Sequence, residues 1–478
     1  MSYQIGQIPI EVDLLRKVLP DNCLFHQLMK AKKAEERFWY LSELCCSCFG
    51  ILSSYLSIEC RIGKSLFRVI EIILNLVPMD LNNLKSDPIV VVGGGFGGLA
   101  TVQALLANSG GPPIVLIDKS PRFLFKPLLY ELLSGELESW EVAPEYSSLA
   151  SELGFIFLLD SVVDIDSVEK KLITSSKTEL TYSQLVVSTG LTNDYSFNED
   201  LPKYAHGFSN LNDLLRIKKL IKKINDSSES TTPLVISGAG PTGVELACKI
   251  SDLLTNRVEI LLIDKRDKIL SNSKSFNREK AIEAISKRNI KVYLKHYIKS
   301  LNETSLELSS IENQLDESLN INYSGIVWTA GSKPAPMSFL NQLLDENKKI
   351  KVNKFLQINE YENIFFVGDI TFSESDPFPS SAQVAMQQGL LTATNIISLR
   401  QNNKLKPFEF DDLGEMLSLG IGNASITGYG ITLAGPLAFE IRRLAYLMRI
   451  PSRSLSFKSM ASWLFSKKII NRLVSQYS

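Results

Sequence analysis

Cysteine is scarce over most of the chain. Five of the six cysteines, Cys23, Cys45, Cys46, Cys48 and Cys60, precede residue 87, and beyond it only Cys248 remains. A redox-active pair is therefore excluded from residues 87–478, and the surrounding pattern buries Cys248 in a helix. Long apolar runs are also missing: no window of eighteen uninterrupted apolar residues occurs, so no transmembrane helix is expected. Charge of one sign is missing too. The formal net charge is −1 over 478 residues, which gives no footprint for a nucleic-acid partner, and none is expected. With 45% hydrophobic and 22% charged residues, the composition suits a globular protein of two to four domains.

The first 86 residues differ from the rest. Cys45-Cys46-Ser47-Cys48 invites a metal or redox reading, but no Cys/His set at zinc spacing completes it and His26 is isolated, so no metal site is expected. Leu44 to Ile58 is uncharged yet too short to span a bilayer. Glu11, Asp13, Glu35, Glu36 and Glu43 argue against a cleavable signal or transit peptide. Two readings stay open: an N-terminal helical extension of unassigned role over 1–86, or translation from Met79, just before the Asp87-Pro88 entry to the first strand.

What the sequence does have is a repeated sentence. Ile89 to Val92 reads as a buried parallel strand and empties into Gly93, Gly95 and Gly98 in G-x-G-x-x-G register, followed by helix-forming residues from Leu99. A second strand, Ile114 to Ile117, delivers Asp118 about twenty residues after Gly98, where a carboxylate accepts ribose hydroxyls. Leu234 to Ser237 opens the same order again, with Gly238, Gly240 and Gly243 in register and the strand Ile260 to Ile263 ending at Asp264. Two such folds predict two bound dinucleotides, each with its pyrophosphate at a helix N-terminus. Lys265 and Arg266 follow Asp264; the acid favours a free 2′-hydroxyl and the cations a 2′-phosphate, so NADH and NADPH both remain open.

Between and after the repeats lie further signals. Arg122 to Gly135 is a short apolar segment, readable as a core loop or as the wall beside a flavin. Val186 to Gly190 is a strand running into a glycine turn, and Ile326 to Gly331 echoes it. Leu211 to Ile224 carries Leu214, Ile217, Ile221 and Ile224 at helical spacing, with Arg216, Lys218, Lys219, Lys222 and Lys223 mostly off that stripe on a solvated face. Ser227 to Thr232 reads as a linker. Asn363 to Asp369 is a strand that delivers Asp369 behind Gly368, where a carboxylate can bind the ribityl hydroxyls of a flavin.

This order of motifs resembles the two-dinucleotide-binding-domain flavoproteins. Within them, Phe125 to Gly135 and Ser381 to Gln387 are similar to the alternative (type II) NAD(P)H:quinone dehydrogenases, and Leu413 to Gly420 to their cyanobacterial and plastid demethylphylloquinone-reductase branch. The resemblance covers about residues 87–478 and leaves 1–86 unexplained. It implies an α/β fold with two Rossmann-like domains: 87–205 and 331–400 for FAD, 206–330 for NAD(P)H, and 401–478 for membrane association. FAD would be held by Gly93, Gly95, Gly98, Asp118 and Asp369, and NADH or NADPH by Gly238, Gly240, Gly243 and Asp264, with Lys126, Gly190, Gly331, Gly368 and Ala382 as further cofactor-binding candidates. Gln383 and Gln387 share a helix face and, by resemblance, meet the quinone head group; Glu245 would lie near the nicotinamide in a proton-relay role, or be a first-turn acid favoured by the helix dipole. Lacking a cysteine pair beside it, the flavin would hand electrons directly to an acceptor.

The C-terminal segment bears on that acceptor. From Ile431 to Ser478 there are eight Lys or Arg and one acid, Glu440. Leu437, Ile441, Leu444 and Met448 recur at helical spacing opposite Arg442 and Arg449, and Trp463, Leu464 and Phe465 precede Lys467 and Lys468. An amphipathic helix with a basic flank and aromatic anchors fits an anionic bilayer surface; a helix packed on the body with a solvated basic face is the alternative. The expected function is transfer of two electrons from NAD(P)H to a prenylated quinone without proton pumping. The protein would sit peripherally on the reduced side of a membrane, thylakoid or plasma membrane by resemblance. A reductase of a small electron-carrier protein and a nucleotide-sensing flavoprotein are the alternatives, and a homodimer is left open.

Overall fold

The computed structural model describes residues 86–464, apart from 109, 197, 199, 228–231, 313–317, 336 and 346–347. The expectations for Cys23 to Cys60 and Met79, and those for Phe465, Lys467 and Lys468, lie outside the described residues.

Two five-stranded parallel sheets form the frame. In the first, the strand Ile89–Val92 is central, flanked by Ile114–Asp118 and Gln184–Val187, with Ile156–Leu159 and Ile364–Phe366 at the edges. In the second, Leu234–Ser237 is central, flanked by Ile260–Asp264 and Gly325–Trp328, with Ile290–Leu294 and Ala205–His206 outermost. Both central strands are buried from end to end, as a strand covered on both faces must be. A three-stranded antiparallel sheet is inserted at the same point in each: residues 162–181 in the first, 296–322 in the second. The repeat read as a motif is thus a repeat of whole topology.

The chain crosses between the sheets twice, after Gly190 and after Gly331. The segments Leu191–Asn193 and Ser332–Pro334 pair antiparallel, so both exits form one ribbon. The helix Leu211–Asp226 buries Leu214, Ile217, Leu220, Ile221 and Ile224, the stripe expected from spacing with Leu220 added. Beyond the second crossing, the helix Ala382–Arg400 packs on the helix Phe96–Leu106 so closely that a Cβ on Gly389 would fall 2.4 Å from the Gly97 carbonyl oxygen. A three-stranded antiparallel sheet, Glu415–Ser418, Ala424–Gly428 and Ile431–Gly435, then leads into the helices Pro436–Leu447 and Arg453–Leu464. No helix among the described residues is long and apolar enough to cross a membrane.

Candidate active site

The two glycine turns have the same construction. Gly93 and Gly238 stand at φ +97° and +106°, a region closed to most side chains. At Gly98 a Cβ would meet the Gly93 carbonyl oxygen at 1.9 Å, and at Gly243 the Gly238 carbonyl oxygen at 1.7 Å, so each helix seats against its strand only without a side chain. Gly95 has open space above it, and Gly240 is approached only by the Arg266 guanidinium at 3.5 Å from its Cβ position. Gly95 and Gly240 are the N-caps of Phe96–Leu106 and Pro241–Leu253, so free N–H groups of each helix face that space.

The acids differ. Asp118 Oδ2 accepts from the Gly94 N–H at 2.7 Å and Oδ1 from the Ser120 N–H at 2.7 Å. Burial raises its pKa, and those bonds only partly offset it. Asp264 Oδ2 accepts from the Ala239 N–H at 2.6 Å and from Arg266 Nη2 at 2.7 Å, while Oδ1 accepts from Arg266 N at 2.8 Å and Nε at 3.0 Å. Burial opposes ionisation there as well, but the Arg266 and Ala239 bonds prevail and hold the carboxyl below its usual range.

A second group gathers around Asp369. Its carboxylate is half-buried and accepts no hydrogen bond among the described residues; burial raises its pKa against the opposing pull of Lys126 and Lys349. Lys126, exposed at the start of the short helical turn Lys126–Leu128, is near enough to Asp369 for its charge to be felt there, while Phe125 and Leu128 to Leu133 are core. The backbone at Gly368 is fixed from the side, its N–H donating to Gln388 Oε1 at 2.7 Å. Ala382 opens the helix whose fourth residue, Ala385, lies 3.6 Å from a Cβ position on Gly368. Gln383 is half-buried with no hydrogen-bond partner among the described residues. Gln387 is otherwise engaged: its Nε2 donates to the Asp411 carbonyl at 2.7 Å and its Oε1 accepts the Asp411 N–H at 3.0 Å. Both faces of that amide hold the 411 loop, so the expectation that Gln387 offers its amide to a ligand beside Gln383 does not match this arrangement.

Glu245 is buried at a junction of three regions. Its Oε1 accepts the Ser418 N–H at 2.7 Å, Tyr130 hydrogen-bonds it, and Arg442 Nη2 stands 3.7 Å away. Burial pushes its pKa up to about 7 against the pull of Arg442 and those bonds. Next to it Glu131, fully buried, takes Arg442 Nη1 at 2.6 Å on Oε1 and leaves Oε2 without a partner. Arg442 Nη2 also donates to the Pro127 carbonyl at 2.7 Å, and buried Lys249 donates to Glu136 at 2.6 Å. A chain of buried charge thus links the segment after Lys126, the helix after the second glycine turn and the C-terminal helix. Cys248 on that middle helix is fully enclosed, and burial pushes its thiol up to about 12.

The C-terminal helix corrects the expected orientation. Arg442 is not on a solvated basic flank; it is 0% exposed and points inward, whereas Leu437, Ile441, Leu444 and Met448 are 63%, 43%, 51% and 80% exposed. Tyr429, Ile431 and Phe457 are exposed apolar residues of the same region. Trp463 is not a free anchor either, because its Nε1 donates to Glu141 at 2.7 Å and Arg443 stacks on its ring at 4.0 Å.

Motif reading did not single out Tyr130, Glu131, Lys249 or Gln388, and it gave Arg442 no place beyond the basic side of its helix. A charged residue inside an otherwise apolar segment, as Glu131 is within Leu128 to Leu133, was the available signal for the buried cluster.

Comparison with known proteins gives concordant results. The family model of the pyridine nucleotide-disulphide oxidoreductases matches residues 87–389. The chain is 33% identical over 389 residues to the demethylphylloquinone reductase of Synechocystis sp., spanning 79% of this chain and 95% of that protein. It is 32% identical over 429 residues to the alternative NAD(P)H-ubiquinone oxidoreductase C1, chloroplastic/mitochondrial, of Arabidopsis thaliana, covering 81% and 82% of the two chains. The solved structure of NDH2 from Plasmodium falciparum in complex with NADH has the same fold, with a TM-score of 0.69 at 17% identity over 80% of this chain and 99% of that one.

Proposed function

Because the chain belongs to the pyridine nucleotide-disulphide oxidoreductase family, and within it to the type II NAD(P)H:quinone oxidoreductases, we propose that it passes two electrons from NAD(P)H through FAD to a prenylated quinone. The quinone is of the demethylphylloquinone and naphthoquinone or plastoquinone class, and the reaction moves no protons across a membrane. The observation that carries this reading is the pairing of two complete dinucleotide turns with a sealed thiol. Gly93 to Asp118 and Gly238 to Asp264 are equivalent sites, and Cys248, the one described cysteine, is enclosed and protonated, so among the described residues no thiol stands ready to relay electrons.

The first site fits a flavin dinucleotide. The space above Gly95 admits a pyrophosphate, the Asp118 carboxylate retains acceptor capacity for ribose hydroxyls, and unpartnered Asp369 beside Lys126 suits the hydroxylated chain. Gly190 and Gly331 turn the chain at the two crossings, and Ala382 starts the helix against Gly368. FAD supplies, when bound, the two-electron acceptor and donor that no side chain among the described residues provides. Residues 87–205 and 331–400 hold it, 206–330 hold NAD(P)H, and 401–478 attach to the membrane. Gln383 faces the quinone head group and Gln387 positions it by holding the Asp411 loop. Glu245 holds or releases a proton near neutral pH where the second helix meets the first domain.

The exposed stripe Leu437, Ile441, Leu444 and Met448 supports attachment to the surface of a thylakoid or plasma membrane on its reduced side, since a row of apolar side chains on one helix face is a surface for lipid. Anaerobic stopped-flow absorbance of the flavin-loaded protein tests the sequence of events. Addition of NAD(P)H bleaches the flavin band and a naphthoquinone or plastoquinone analogue restores it. Bleaching without recovery would replace the quinone by a carrier protein, and a band that neither coenzyme bleaches would leave a nucleotide sensor.

A further inference from the structure

We propose that the second glycine turn selects NADPH, and that Arg266 is the residue that selects it by binding the 2′-phosphate. This rests on the reading of that turn as the coenzyme site, and it resolves the choice that Asp264, Lys265 and Arg266 leave open in the sequence.

The two acids of the molecule provide an internal comparison. Each ends the second strand of its fold and each accepts one N–H from its glycine turn, Gly94 for Asp118 and Ala239 for Asp264. Asp118 has only one further bond, from the Ser120 backbone, and no side chain donates to it among the described residues. A carboxylate has about four acceptor positions, so Asp118 keeps capacity for two ribose hydroxyls. Asp264 keeps none. Arg266 supplies three donors to it, N, Nε and Nη2, beside the Ala239 N–H. A ribose diol would reach Asp264 only by displacing a bidentate guanidinium from a carboxylate that is 5% exposed.

The same pair suits a phosphate. A bare carboxylate repels the dianion, but the Arg266 ion pair cancels that charge. Arg266 Nε and Nη2 bind Asp264 and Nη1 donates to Ser271 Oγ at 2.9 Å, which leaves two of the five guanidinium N–H groups undirected. The side chain is 39% exposed, and its Nη2 overhangs Gly240, beside the opening where the pyrophosphate is received. Lys265, Asp267 and Lys268 are exposed on the same connection and together leave it a net positive charge. Asp264 thus acts as the seat that fixes the guanidinium, in contrast to Asp118, which faces its ribose directly.

Isothermal titration of the FAD-loaded full chain with 2′,5′-ADP and with 5′-AMP tests this, because the two probes differ only in the 2′-phosphate. The wild type binds 2′,5′-ADP at least about tenfold tighter, as charge-assisted hydrogen bonds to a phosphate provide. Arg266→Ala removes that preference and frees Asp264, so 5′-AMP binds as well as before or better; Arg266→Lys retains part of it. Equal or tighter binding of 5′-AMP by the wild type overturns the proposal, as does an Arg266→Ala protein that loses both probes in proportion. Neither titration involves a quinone or turnover, so failure of quinone reduction would leave the result standing. Failure to bind either probe would remove the coenzyme site itself.

Discussion

Glu245→Gln is the most informative single substitution, because its effect on stability has a shape as well as a size. The carboxyl is buried beside Tyr130, Ser418 and Arg442, and burial lifts its pKa from 4.5 to about 7. Between those two values the folded protein retains a proton that the unfolded chain has released, so stability falls as pH rises through that window and levels off above it. At somewhat more than about 1 kcal/mol for each pKa unit, the loss between pH 5 and pH 8 is on the order of 2 to 3 kcal/mol. Glutamine keeps the shape and can still accept the Ser418 N–H, but it does not titrate. Urea unfolding of flavin-loaded wild type and variant at pH 5 and pH 8 should therefore show the gap between them changing by roughly 2 to 3 kcal/mol in favour of the variant at pH 8. The comparison cancels the titrating groups that do not sense Glu245. Parallel pH profiles, with the gap changing by less than about 1 kcal/mol, would refute the assignment of a neutral-range proton to Glu245.

Two further outcomes follow from the buried charges and the turns. Arg442→Met leaves Glu131 enclosed with Lys249 3.9 Å away as its nearest remaining cation, and should cost about 3 kcal/mol in urea unfolding; adding Glu131→Gln should recover most of that loss. Gly98→Val should yield protein that fails to retain flavin, whereas Gly243→Val should retain flavin and lose its bleaching by NAD(P)H, each read from the absorbance of purified protein.

The parts of the molecule that were legible in the sequence are those governed by local rules. Both glycine turns, both second strands and the helix stripe from Leu214 to Ile224 follow from residue type and spacing over a few turns of chain. The inserted antiparallel sheets and the pairing of Leu191–Asn193 with Ser332–Pro334 did not, since partners far apart in sequence leave no periodic trace. Arg442 shows the same limit from the opposite side. Spacing separated it from Leu437, Ile441, Leu444 and Met448, and the structure keeps that separation, but spacing says nothing about which face turns inward. The apolar face turned outward because Glu131 and the Pro127 carbonyl, more than three hundred residues earlier, bind the guanidinium. Gln387 likewise shares a face with Gln383, yet the Asp411 backbone occupies its amide.

The helix Pro436–Leu447 holds its exposed stripe and its inward guanidinium on opposite sides of one short rigid rod. Any force that lifts or rolls the rod by its outer side chains therefore acts on the clasp at Glu131, because there is no flexible joint between them. Withdrawing Arg442 would leave two carboxylates, Glu131 and Glu245, facing each other without their shared cation. Load on the outside of the protein and proton affinity in its interior are in this way connected through the Arg442 side chain.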